Sequence, residues 1–96
     1  MTENKLIEQR ARGEKAKGVL ENDLVIEAFE KIEADLNEMW QKSEMSQHEE
    51  RENIYLAMRI FKNFRAYFSK VVRTGDAAAK ELVTIQKKAR ARRANV

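Results

Sequence analysis

Three short stretches interrupt a chain otherwise made of helix formers: Asn22-Asp23, Ser43-Glu44-Met45-Ser46 and Thr74-Gly75-Asp76. Proline, the strongest breaker, occurs nowhere in the 96 residues. The breaks divide the chain into four predicted helices, at 1–21, 23–42, 47–74 and 77–93, within a single helical domain. The expected fold class is all-α: an antiparallel helical hairpin of an acidic second helix and a long basic third helix, flanked by N- and C-terminal helical arms.

The helices differ in how much apolar surface they carry. In the first, Leu6, Ile7, Ala11, Ala16, Val19 and Leu20 are sparse, and Gly13 and Gly18 each weaken it by about 1 kcal/mol. It is expected to be an arm that packs on something else. In the second, Val25, Ala28, Phe29, Ile32, Leu36, Met39 and Trp40 recur at spacings of three and four and form one buried face, with Asn22 or Asp23 as N-cap. The third has a capping-box spacing at Ser46 and Glu49, and Gly75 suits a left-handed helix end. Its apolar residues, from Ile54 to Val72, spread over roughly 200° of the helical wheel, about twice the width one contact face requires. Arg65 falls inside that arc and is expected to snorkel or pair. The fourth has Asp76 as N-cap, only Leu82, Val83 and Ile85 as large apolar residues, and a basic tail.

Charge is unevenly placed. Residues 22–45 carry seven acids and two bases, whereas residues 46–75 carry six bases and three acids. A short connection makes the second and third helices antiparallel neighbours, and their opposite charges favour that pairing through specificity more than stability. One hairpin partner covers only part of the wide apolar arc, and the terminal segments are poor in large apolar residues. A further partner is therefore expected, most simply another copy of the chain, meeting it through Ile54, Met58, Phe61, Phe64 and Phe68.

Chemistry-bearing groups are few. With no cysteine there is no disulfide or thiolate chemistry, and one histidine makes a zinc site unexpected. His48 shares a helix face with Glu52, but acidic residues are favoured in a first helical turn for electrostatic reasons alone. Glu27, Glu30, Glu33, Asp35 and Glu38 read as the solvated face of an amphipathic helix rather than a catalytic pair. The aromatic residues near Arg59, Arg65 and Lys70 could stack on bases, but at helical spacing they read as core or interface. No phosphate loop, cofactor motif or small-molecule site is recognisable, so no cofactor and no enzymatic activity are expected. No apolar run reaches the roughly 20 residues of a membrane span, and the first residues lack a secretory signal, so a soluble, intracellular protein without a membrane role is expected. Lys80, Lys87, Lys88, Arg90, Arg92 and Arg93 could neutralise phosphates.

Arg10-Ala11-Arg12-Gly13-Glu14-Lys15-Ala16-Lys17, Leu20-Glu21-Asn22, Glu27-Ala28-Phe29, Trp40, Glu50-Arg51-Glu52 and Thr74-Gly75 together resemble a group of short helical proteins of tailed bacteriophages, encoded among genes for DNA packaging and virion assembly. The likeness covers roughly residues 10–83. That group commonly has proline after the asparagine of its first connection, where this chain has Asp23. The resemblance brings no functional residues with it. It implies a phage structural, assembly or DNA-packaging accessory protein, acting through self-association and contacts with other virion proteins, in the host cytoplasm during assembly or in the virion. A second expectation is a nucleic-acid-binding module, a small terminase-like subunit or regulator, using the basic C-terminal helix. A third is an inhibitor of a host factor that presents the acidic second helix.

Overall fold

A computed structural model describes residues 2–94, and these are almost entirely helical: α1 (Glu3–Glu21), α2 (Asp23–Lys42) and α3 (His48–Ala94). The Thr2 side chain accepts the Lys5 amide at 3.3 Å at the start of α1. Only Asn22 separates α1 from α2. Its extended backbone turns the chain, and its Oδ1 accepts the amides of Leu24 at 2.9 Å and Val25 at 3.1 Å. This is the N-cap bond that satisfies otherwise orphaned helix donors. Ser43 closes α2: its amide reaches the Met39 and Trp40 carbonyls, and its hydroxyl donates to Trp40 O at 2.6 Å. The N-cap of α3 is Gln47, one residue later than the expected capping box, because the Gln47 carbonyl accepts the first helical amide, that of Arg51, at 2.9 Å. Gln47 also accepts the Glu44 amide through its side chain at 2.7 Å, which tightens the connection.

The third expected break does not exist. Helix α3 runs through Thr74-Gly75-Asp76 without interruption, so the segments expected at 47–74 and 77–93 are one element and Asp76 caps nothing. Gly75 has no left-handed backbone; no residue among those described has positive φ. A glycine inside a helix costs about 1 kcal/mol relative to alanine, too little to end a helix whose neighbours favour it and whose packing uses the missing side chain.

That packing defines one of two compact units, formed by the residues through Gly18 together with those from Phe68 onward. The expected N- and C-terminal arms are thus not free: they pack on each other. Leu6, only 1% exposed, clusters with Ala78 and Leu82, with Ile85 against them. Further along, Gly13 meets Gly75 so closely that a Cβ on either would lie 2.7 Å from the other's Cα. Advancing from Leu6 to Gly13 on α1 moves the contact back from Leu82 to Gly75 on α3, so the two stretches are antiparallel. Val71, Gly75, Ala78, Leu82 and Ile85 follow the four-three spacing of a coiled-coil seam, as do Leu6, Gln9, Gly13 and Ala16. Leucines close one end of the seam, and glycine and alanine let the backbones approach at its middle.

The second unit, Val19–Tyr67, joins α2 to the first part of α3. Phe29 meets Phe61 and Phe64 edge-on, with ring centroids 5.6 and 6.1 Å apart. Nearer the connection, the Arg51 guanidinium lies 4.0 Å from the centre of the Trp40 ring and donates to Ser43 O at 3.5 Å. Ile54 is buried, at 3% exposure, and no residue of α2 is.

Candidate association surface

The central unit leaves much of its apolar surface in the open. On α3, Leu56, Ile60, Phe64 and Tyr67 recur at spacings of four, four and three and are all exposed, Ile60 to 69%. On α2, Ile32 and Met39 are about half exposed, and Leu24 is 72% exposed. Phe29, Ile32, Leu36, Ala57, Ile60 and Phe64 line an apolar groove of about 420 Å³ along the two helices. A helix 20 residues long with seven apolar residues at helical spacing buries none of them fully, because a single neighbour of similar width cannot enclose its contact face.

The residues expected to make the self-contact separate into four positions. Ile54 is spent inside the unit. Met58 and Phe61 are half-buried, Phe61 against Phe29. Phe64 touches Phe29 with its edge yet stays exposed. Phe68 is half-buried and belongs to the terminal unit. Ile60 on α3 is more open than any of them, and it was not in the expected set; nor were Leu56 on α3 and Ile32 on α2, which are also exposed. The helical spacing placed Leu56 and Ile60 in the wide apolar arc of the third helix and Ile32 on the face of the second expected to be buried, but nothing in a wheel says which part of an arc a neighbour covers.

One ion pair joins the helices of this unit among the described residues. Arg65 Nη1 donates to Glu33 Oε2 at 3.0 Å, and its guanidinium lies over the Phe29 and Phe61 rings at 5.4 and 5.7 Å. The cation inside the apolar arc is therefore paired, with its charge at the edge and its plane on the aromatic rings. On the outer surface of α2, Lys31 donates to Asp35 at 2.8 Å and Lys42 to Glu38 at 2.6 Å. The hydrogen bond to Asp35 raises the Lys31 pKa, and the bond between Lys42 and Glu38 raises that of Lys42 and lowers that of Glu38.

The remaining candidates are dispersed. His48 stands in the exposed first turn of α3. Among the described residues no three His, Asp or Glu gather as a metal ligand set, and no helix is long and apolar enough to cross a membrane. Lys80, Lys87, Lys88, Arg90, Arg92 and Arg93 are all exposed on the last part of α3, in the terminal unit. In comparisons with known proteins, no family model, curated sequence or solved structure matches the chain.

Proposed function

We propose that this chain works by self-association through the open face of its central unit, as a structural, assembly or DNA-packaging accessory protein. The observation that carries this reading is the run of exposed Leu56, Ile60 and Tyr67 on α3 beside Ile32 on α2. Burying a single such aliphatic side chain is worth about 1.5–3 kcal/mol, so a face of several is a strong drive to acquire a partner. In this reading α2 and the first part of α3 form an antiparallel hairpin that presents the face.

Charge supports a second copy as that partner. Helix α2 carries six Asp and Glu against two Lys, whereas residues 53–67 of α3 carry three cations and no acid. A two-fold axis parallel to the helices lays each α2 over the partner's α3 and matches opposite charges. An axis across the helices would stack acid on acid. Virion assembly or packaging as the setting rests on the resemblance read in the sequence alone.

The test is mass in solution over a concentration series. The chain is expected to exceed its 11.2 kDa monomer mass by concentrations on the order of 100 μM, a modest affinity for a face of this kind. Ile60→Glu is expected to stay monomeric with unchanged helix content. A wild-type chain that remains monomeric throughout would end the proposal.

A further inference from the structure

The fold sorts charge in a way the linear order conceals. Bringing the two ends of the chain together collects thirteen Lys and Arg against five Asp and Glu in the terminal unit, a net +8. The central unit holds six against eleven, a net −5. The modest +3 of the whole chain is thus a near-cancellation between two oppositely charged bodies.

We infer that the terminal unit is a binding surface for double-stranded DNA, contacting its phosphate backbone without reading sequence. Its centre is a row on α3. Arg73, Lys80 and Lys87 are spaced by seven, so at 3.6 residues per turn they fall on one side of the helix, all exposed. Val71, Gly75, Ala78 and Leu82, which meet α1 or are buried beside it, lie on the opposite side, so the row faces away from α1. One carboxylate, Asp76, shares the row's face against these three cations. The exposed cations of the following turns, Lys88 to Arg93, extend the positive field to the helix end, and α1 adds Lys5, Arg10, Arg12, Lys15 and Lys17 to the same unit.

Three features select the partner. First, the unit is sealed: Ile7 and Val83 are its exposed large hydrophobic residues among those described, so it offers charge rather than an apolar face, unlike a protein-docking surface. Second, six of the seven aromatic residues lie in the central unit and the seventh, Phe68, is half-buried. Single-strand binders stack bases on exposed aromatic rings, and this unit has none to present. Third, the row is rigid, with successive cations about 10 Å apart along the helix. That separation is close to the roughly 12 Å width of the DNA major groove, so a helix lying across the groove sets successive cations near phosphates of opposite rims, a match that the narrow major groove of duplex RNA does not offer.

The experiment measures binding of a fluorescent DNA duplex by anisotropy across a salt series. Binding is expected at ~50 mM salt and should fall steeply as salt rises. The triple variant Arg73→Gln, Lys80→Gln, Lys87→Gln is expected to bind at least tenfold more weakly, with a log–log salt slope shallower by about 2.7, since each lost phosphate contact removes about 0.9. Lys31→Gln with Lys42→Gln, which removes two cations from the central unit, is expected to leave affinity and slope unchanged. Circular dichroism should report the same helix content in all variants. The inference is overturned by absence of binding at ~50 mM salt, or by an unchanged slope in the triple variant. Tighter binding of single-stranded DNA or duplex RNA would also overturn it, as would competition by polyglutamate as effective as that by unlabelled duplex, which would identify an acidic protein surface as the partner.

Discussion

The two units use the same kind of element in opposite ways. The terminal unit holds its helices together with glycine, alanine and two leucines, and its seam is closed: Leu6, Gly13, Ala16, Gly75, Ala78 and Leu82 are all buried. The central unit has Phe, Trp, Met and Ile in abundance and buries one large residue, Ile54. Large side chains hold two helices apart and leave flanks that a third element must cover, whereas small ones let the backbones touch and exclude water with little material. Apolar richness is therefore a poor guide to how well a two-helix unit is finished. The poorer unit is the complete one, and the richer unit is the one with surface left over.

The comparison breaks most visibly at its leucines. Leu6→Ala should destabilise the terminal unit by about 2–5 kcal/mol, because a fully buried side chain leaves a cavity. Ile60→Ala, at an exposed site, should cost the isolated chain almost nothing. Amide hydrogen exchange resolved by residue would read the two units separately, and equal losses from both substitutions would contradict the contrast.

The glycines sharpen it. Gly13→Ala should destabilise by about 1–3 kcal/mol, since its Cβ would meet Gly75 backbone at 2.7 Å and two helices would have to separate. Gly18→Ala should stabilise by about 0.4–1 kcal/mol, because nothing lies within 4 Å of the added methyl and the unfolded chain loses freedom. Thermal melting of the two variants should move in opposite directions; a shared direction would show that the close crossing is not what holds the seam.

Smaller effects belong to the central unit. A double-mutant cycle on Arg65 and Glu33 should return a coupling of about 0.2–1 kcal/mol, as for an exposed ion pair, and it should shrink as salt rises. Smallest is the pH dependence from Glu38. Its pKa is lowered in the folded state by Lys42, so its contribution is present above the ordinary carboxylate value and is lost as pH falls through the folded value. Glu38→Gln should flatten the acid limb of stability slightly, and an identical acid limb in both proteins would count against the pair.

Much of the helical layout was legible from local signals. Asn22 beside the start of an apolar period marks the break between α1 and α2, and the Ser43–Ser46 stretch marks the next. Arg65 in an apolar arc announced a paired or snorkelling cation, and it is paired. What misled was Gly75. Followed by Asp and preceded by Thr, it has the composition of a helix end, and only a distant glycine, Gly13, explains why it stands mid-helix. The same long-range contact explains why the terminal helices, judged by their few large apolar residues, looked unable to enclose a core. Glycine and alanine on one helical stripe carry no signal until the facing stripe is known. The partition of charge was hidden for the same reason, since it depends on which ends of the chain meet.

The order in which the chain is made gives that meeting of ends a further consequence. Helix α1 is translated before α2, but the stretch that covers Leu6 and Gly13 is made only after residues 19–67. Residues 19–67 are contiguous and can pair while synthesis continues, whereas the seam of α1 must wait, uncovered, until those residues and the partner stretch of α3 have been made. A sparse stripe of glycine and alanine offers little for chaperones or neighbouring nascent chains to seize during that delay, and the stickier side chains sit where their intramolecular partners arrive soonest.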